Sequence, residues 1–492
     1  MLSFATRNAR WQAAYDQALS VLAGNVWVYP NAETEVLVEG PQYPGIWQEC
    51  APHEALLYRR IRPDVARGTH LAFFAKQRPD GQLPGCIRVE RVGYEQIQMV
   101  VPIAATAWEI ARASGDDELL SAAYHACARW DAWLGRYRDT RGTGLVEGFC
   151  TYDTGHDHSP RWRGMANQCR ERDARLCPEG DGLPRLCPDL SATTYGARLA
   201  LAEMAEALGK ADEAARWRES ADTLRARIVQ TLYDPKDAAF YDLDSHGEFV
   251  RVRSDVIGRV CQEHVVDQAL FETLWERQLH NSAAFWAPYP FPSIALDDPS
   301  YESGQWRNSW GGPSQALTAI RCGRWMDHYG RLAEFAELME RWCEAILRDP
   351  SFRQQIDPAT GAFSEGDKPG YSPCALALLD FTWRLAGVYQ DRETLRWSAD
   401  PGHPAAEGSL FEMTTDEGAS AAMRYDETGV ALELGGRRIA HVSEGAATLL
   451  TDPAGRPAAL IGSRAAPQRV ALRFADGRAL ETTVAPNERI PL

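Results

Sequence analysis

The chain has 492 residues, and its 52 Lys plus Arg against 68 Asp plus Glu leave a formal charge of −16. The acidic balance is spread without long runs of one sign, which argues against nucleic acid or an anionic membrane as a partner, because both reward a basic face. No apolar run reaches the ~18 residues of a membrane span, and MLSFATRNARWQAAYDQ at the N-terminus lacks the basic-then-apolar pattern of a secretory signal, so a cytoplasmic location is expected.

Helical periodicity dominates from about residue 50 to 390. Apolar residues recur at i, i+3, i+4 and i+7 over 97–114, 117–137, 191–208, 211–232, 314–326, 331–347 and 373–388. Gly115, Gly209 and Gly330 punctuate helix ends. Helices come in pairs, and the segments 138–149, 233–243 and 356–366 repeat a short Asp-X-X-Gly or Asp-Pro turn into an aromatic or Leu. That spacing is too long for a solenoid and fits a closed ring of helical hairpins with its functional loops at one mouth.

Beyond Tyr389 the texture changes. Short period-2 runs between 405 and 492, broken by Asp-Gly, Gly-Gly and Pro-Ala-Gly turns, predict a small antiparallel β domain. The expected organisation is a catalytic domain over 1–390, a linker over 391–407 carrying Pro401 and Pro404, and a β-sandwich-like domain over 408–492.

Of the 16 tryptophans, Trp130, Trp133, Trp217, Trp275 and Trp342 sit inside helical patterns and are assigned to the core. Trp47, Trp162, Trp306 and Trp310 lie in loops, where a flat indole can stack on a sugar ring. The 11 cysteines form no CxxC pair, and Cys169, Cys177 and Cys187 share one loop at separations that match no zinc knuckle, so reduced buried thiols and no metal are expected. No nucleotide or cofactor fingerprint is present.

FCTYDTGHDHSPRWRG (149–164) is the most informative stretch. Asp153, Asp157, His156 and His158 occupy a Gly- and Pro-interrupted loop followed at once by Arg161, Trp162 and Arg163. Acids, an aromatic and guanidinium groups packed in one loop suit a polar ring as ligand. Asp189, at the start of a helix, is fully accounted for by capping, and Asp297 and Asp298 before Pro299 by a turn.

The loop resembles that of glycoside hydrolase family 63 and the related mannosylglycerate and glucosylglycerate hydrolases. The general acid of that group maps to Asp157, with His158 where the family has Asn. PGIWQECAPHEALL (44–57) is similar to the family's Trp-Asp-Ser segment, placing Trp47, Glu49 and His53 in the site, and PDLSATTYGARLALAEMAEALGK (188–210) resembles its Val-Asp-Leu-Asn-Ala helix. FWAPYPFPSIALDDP and WRNSWGGPSQAL resemble its sugar-facing tryptophan segment, which brings in Trp306, Arg307 and Trp310. The resemblance covers roughly 40–390 and implies an all-α (α/α)6 toroid carrying an inverting, exo-acting hydrolase of a small α-linked glycoside.

An inverting glycosidase needs a second carboxylate ~6.5–9.5 Å from the acid to activate water. The resemblance places that base at Gln354, in FRQQIDPATG, and an amide cannot accept the proton. Glu365 and Glu49 are the replacement candidates. Gln354, Gln355 and Tyr371 are expected to bind sugar hydroxyls together with Asp153, His156, Arg161 and Trp162. Two other readings stay open: a sugar isomerase or epimerase using His156, His158 and His53, and a non-catalytic sugar-binding protein. The expected partner is a small carbohydrate; a homo-oligomer is left open.

Overall fold

The computed structural model describes residues 2–304 and 306–492. The chain divides into two compact units, one of residues 22–325 with 353–374, the other of the residues up to 21, 326–352 and 375 onward.

In the first unit successive helices pack as pairs: Ala51–Tyr58 with Pro63–Ala75, Ile103–Ser114 with Asp117–Tyr137, and Pro188–Ala207 with Ala211–Leu232. The second pair shows how the turns are encoded. Gly115 takes φ 65, a left-handed conformation that ends one helix without a Cβ clash, and Asp116 opens the next by accepting from Leu119 N at 2.9 Å. The two members of a pair differ in burial. Ala211–Leu232 buries one stripe, Ala214, Ala221, Leu224, Ile228 and Leu232, as an outer helix does, whereas Pro188–Ala207 is buried without a break from Pro188 to Gly196.

Helices Ala51–Tyr58, Ile103–Ser114, Pro188–Ala207 and Val256–Cys261 also pack against one another in succession and form an inner layer. Polar residues gather at their N-terminal ends: Glu49 ahead of Ala51, Gln98 ahead of Ile103, Asp189 in the first turn of its helix, and Asp255 ahead of Val256. Gln315 precedes the helix Ala316–Arg321, and Tyr371 precedes the helix that begins at Ser372. The aligned peptide dipoles favour carboxylates there.

Short ladders pin the long connections. Glu147 and Leu243 both pair with Leu186, tying the segment 138–187 to the Asp242–Leu243 strand, and Ser314–Gln315 pairs with Gln355–Ile356.

The second unit contains two antiparallel sheets of seven and five strands. The alternating runs read between 405 and 492 are strands, from Leu410–Thr414 to Ala479–Val484, and Leu2–Ala5 adds to the edge of the larger sheet beside Leu410–Thr414. With helix at 37% and strand at 21% of residues, the all-α description is corrected. The segment 391–407 is not a plain linker. It contains the strand Thr394–Ala399, which pairs with Val388–Asp391 and with Ala447–Thr451 and buries Leu395, Trp397 and Ala399 on one face. Only its three buried positions carry the period-2 signal, too few to stand out beside Pro401 and Pro404.

Candidate functional site

Asp157 lies between two short turns, Thr151–Asp153 and Pro160–Trp162, and its backbone carbonyl accepts from Trp310 N at 3.1 Å. It borders a cavity of about 410 Å³ together with Tyr43, Trp47, Arg88, Arg91, Glu95, Gln98, Tyr152, His158, Gln168, Arg307 and Asn308. Burial, then the neighbouring charge of Glu49, pushes the Asp157 carboxyl up to about 8, opposed by one hydrogen bond from Asn308. Such a carboxyl holds its proton at neutral pH.

A directed hydrogen-bond chain fixes that carboxyl. Asn308 Nδ2 donates to Asp157 Oδ2 at 2.6 Å, Gln354 Nε2 donates to Asn308 Oδ1 at 2.8 Å, and Tyr43 OH donates to Gln354 Oε1 at 2.7 Å. The tyrosine proton determines which way the Gln354 amide faces, and the Gln354 amide does the same for Asn308. Asn308 therefore presents its donor to Asp157, and a glutamate at 354 could not supply the same N–H. Asn308 sits at φ 52, a left-handed position that Asn tolerates better than most residues.

Three more carboxyls stand close by. Glu49 is half-buried and accepts from Gln98 Nε2 at 3.4 Å. Gly155, at φ 63, makes room for it, since a Cβ there would fall on Glu49 Oε2. Burial raises Glu49, but Arg321 and Arg259 pull the other way. Behind it, Glu39 accepts from Tyr371 OH at 2.6 Å and is raised by burial and by Glu54 and Glu49; burial pushes Glu54 itself up to about 8.

A different cluster flanks the same loop. Arg161 makes paired hydrogen bonds of 2.6–2.7 Å to both Asp189 and Asp242, and its Nη1 donates to His156 Nδ1 at 3.2 Å. His156 Nε2 bonds Asp255 at 2.7 Å, and burial followed by the charge of Arg259 lowers the imidazole to about 4. Both ring nitrogens of His156 are thus engaged. Two groups of side chains have metal-ligand proximity, Cys150 with Asp153 and Cys169, and Cys187 with Asp189 and Asp242. Each already faces an arginine, Arg138 and Arg161 respectively.

The structure brings Trp47, Asp157, His158 and Arg307 to the cavity, with Gln354 one hydrogen bond behind it. Trp306 is 50% exposed. Other expected ligands serve the protein itself. Asp153 accepts from Ile97 N and Phe149 N, Trp162 is buried and donates to Thr154, Trp310 and His53 are buried, and Tyr371 is engaged by Glu39. Gln355 holds Ser309 N, Gln315, Trp306 O and Ser364, which uses up its amide. Glu365 is exposed and is not part of the cavity lining, because Arg353 grips the backbone of that loop and leaves its side chain outside. Sequence reasoning missed Tyr43, Gln98, Asn308 and Gln168. Asn308 alone carried a signal, as an Asn between Arg307 and Ser309 in the WRNSW run.

Residues 43–383 match the family model of the mannosylglycerate hydrolase MGH1-like glycoside hydrolase domain. No curated protein matches the chain. Among solved structures, a family 63 mannosylglycerate hydrolase from Thermus thermophilus, in complex with Tris and D-glycerate, is 20% identical and aligns over 74% of this chain and 99% of its own with a TM-score of 0.61. Neutral trehalase from Saccharomyces cerevisiae aligns at 13% identity over 74% and 80% with a TM-score of 0.57, and a family 78 rhamnosidase from a Bacillus at 12% over 88% and 41% with 0.61. These likenesses show the fold, that of the (α/α)6 glycosidases. With the family match spanning the Asp157 loop and Gln354, the chain belongs to the mannosylglycerate hydrolase MGH1-like glycoside hydrolases and is a glycosidase.

Proposed function

We propose that the protein is an inverting, exo-acting hydrolase of a small α-linked glucoside or mannoside, with Asp157 as general acid and Glu49 as general base. The observation that carries this reading is the Asp157 carboxyl, raised to about 8 and oriented by Asn308 at the wall of a polar cavity. Breaking an acetal requires a proton on the leaving oxygen, and an acid that keeps its proton at neutral pH and gives it up on demand is matched to that task.

Environment separates the two carboxyls. Asp157 is set by burial, Glu49 and the Asn308 amide, whereas Glu49 has Arg321 and Arg259 to favour its ionised form. Burial raises both carboxyls, but only Glu49 has arginines that favour its ionised form, which suits Asp157 to the acid and Glu49 to the base. In the step, Asp157 protonates the leaving oxygen as the glycosidic C–O bond breaks. Glu49 takes a proton from the attacking water, and the product forms with inverted configuration.

A cavity of about 410 Å³ suits one sugar ring with a small aglycone. Arg88, Arg91 and Arg307 on its wall favour an aglycone bearing a carboxylate, as in the substrate that names the mannosylglycerate hydrolases. Proton NMR of the first-formed sugar anomer, over a panel of α-glucosides and α-mannosides of neutral and acidic alcohols, tests the assignment. Release of the β-anomer by the wild type and none by Asp157→Asn supports it. Retention of the α-configuration, or undiminished turnover by Asp157→Asn, removes it.

A further inference from the structure

Gln98 meets Glu49 from a backbone conformation that residues other than glycine seldom adopt. Its φ is 47, in the left-handed region, and it lies in the irregular stretch ahead of the helix Ile103–Ser114. Such a conformation persists only where its surroundings over-determine it. Both neighbours of Gln98 are pinned by one residue of the acid loop: Ile97 N donates to Asp153 Oδ1 at 2.9 Å, and Met99 N donates to the Asp153 carbonyl at 3.0 Å. Asp153 is itself fully buried, and its other carboxylate oxygen accepts from Phe149 N at 2.8 Å.

The amide of Gln98 has one orientation for a stated reason. Gln96 Nε2 donates to Gln98 Oε1 at 2.7 Å, which leaves Gln98 Nε2 to donate to Glu49 Oε1 at 3.4 Å. Hydrogen bonds to catalytic groups are often this long before substrate closes the site. The second oxygen of Glu49 is bounded too, because a Cβ on Gly155 would fall on Glu49 Oε2. Gly155 is two residues beyond Asp153. The acid loop therefore borders the Glu49 carboxyl through Gly155 and, through Asp153, fixes the residue that donates to it.

We infer that Gln98 is the positioning residue of Glu49 and that Asp153 keeps Gln98 in register with the acid loop, so that one loop sets the placement of both carboxyls. An inverting hydrolase needs its two carboxyls at a fixed separation with room for one water, and tying both to the same loop provides it. Each carboxyl ends a directed amide chain: Tyr43, Gln354 and Asn308 lead to Asp157, and Gln96 and Gln98 lead to Glu49. The functional part of the inference rests on the role proposed for Glu49 as base; the positioning itself does not.

The chemistry gives this hydrogen bond a signature that a packing contact lacks. An N–H donated to a carboxylate favours the ionised form, which is the form that takes a proton from water. Gln98 acts here in the same sense as Arg321 and Arg259, the cations that face Glu49. The other titratable groups beside it are the carboxyls of Asp157, Glu39 and Glu54 and the thiol of Cys50. Removing the Gln98 donor therefore makes Glu49 harder to ionise, and activity needs a higher pH to appear.

The test uses Gln98→Asn in the full-length protein, because Asn keeps the amide and tolerates the left-handed backbone but is one methylene short of Glu49. With the glycoside that the wild type turns over, kcat should fall about tenfold while KM stays within about twofold, and the acidic limb of kcat should move up by about half a pH unit. Gln96→Leu removes only the bond that orients the Gln98 amide and should show a smaller loss in the same direction. In a Glu49→Gln background Gln98→Asn should cost nothing further, since the carboxylate it serves is gone. Crystal structures of Gln98→Asn and the wild type should show the Glu49 carboxyl displaced. A rise in KM alone makes Gln98 a sugar ligand and overturns the inference, as does an unmoved acidic limb, a full further loss in the Glu49→Gln background, or a Glu49 that keeps its place. If Glu49→Gln retains the wild-type kcat, the base assignment fails, and the position of Glu49 in the two crystal structures still decides whether Gln98 holds it.

Discussion

Asp157, half-buried, and Asp189, fully buried, are both carboxyls at the loop 149–163, and they end in opposite states. Burial pushes Asp189 up, but the charge and paired hydrogen bonds of Arg161 outweigh it and hold the group at about 2. Burial pushes Asp157 up to about 8, and nothing stronger than the Asn308 amide resists. Asp189, with Asp242, His156, Asp255 and two arginines, forms a closed set of charges that fixes the loop. Asp157 lies at the cavity beyond that set, and Glu49 meets the cavity wall through Gln98. Paired charge builds the frame here, and the carboxyl without an ion pair stands at the cavity.

The contrast is sharpest in the Asp157→Asn variant. Loss of the acid should lower kcat/KM by about a thousandfold, within the range for general acid catalysis. Its effect on stability has the other sign. Between the unfolded value near 3.8 and the folded value near 8 the folded state binds the extra proton, so Asp157 makes stability fall as pH rises through that window. Asp157→Asn should therefore melt above the wild type at pH 8 and converge with it near pH 4, as followed by calorimetry. Equal melting at pH 8 would show that the carboxyl is not held protonated.

On the other side, Arg161→Met leaves Asp189 and Asp242 buried without their cation and should destabilise the fold by about 3–5 kcal/mol in denaturant titration. Asp189 carries the pH dependence opposite to that of Asp157. Its stabilisation is present above pH 3.8 and is lost as pH falls toward 2. An Arg161→Met protein as stable as the wild type would reduce the paired set to decoration.

Smaller effects test the coupling between carboxyls. Glu49→Gln removes the base and should lower kcat by about a hundredfold. It also removes the like charge that raises Asp157, so the alkaline limb of the residual activity should move to lower pH. Activity of Glu49→Ala restored by azide, with formation of a glycosyl azide, would separate a base from a binding group. Asn308→Ala removes the one hydrogen bond that lowers Asp157, and the alkaline limb should move upward with a loss of about fivefold in kcat/KM, one hydrogen bond's worth. No shift in either variant would detach both residues from the acid.

Much of the fold was legible. The paired helices from 103 to 232 follow their apolar periodicity and glycine turns, and the strands beyond residue 409 follow theirs. The stretch 97–102 reads as helix by periodicity but is not one. Ile97 N bonds the Asp153 carboxylate and Met99 N its carbonyl, so those backbone groups serve the acid loop instead. Helices as short as Ala51–Tyr58 and Val256–Cys261 give too few turns for a periodic signal.

The sequence by itself determined the chemistry available to the 149–164 loop: a conformation broken by Gly155 and Pro160, two acids, two histidines and two arginines. Which of those groups stayed free was decided only in the tertiary structure. Arg161 meets Asp242 across 81 positions, His156 meets Asp255 across 99, and Asp157 meets Asn308 across 151. Desolvation and pairing depend on such distant neighbours, and they raised Asp157 at the cavity while Asp153, His156 and Arg161 became part of the frame.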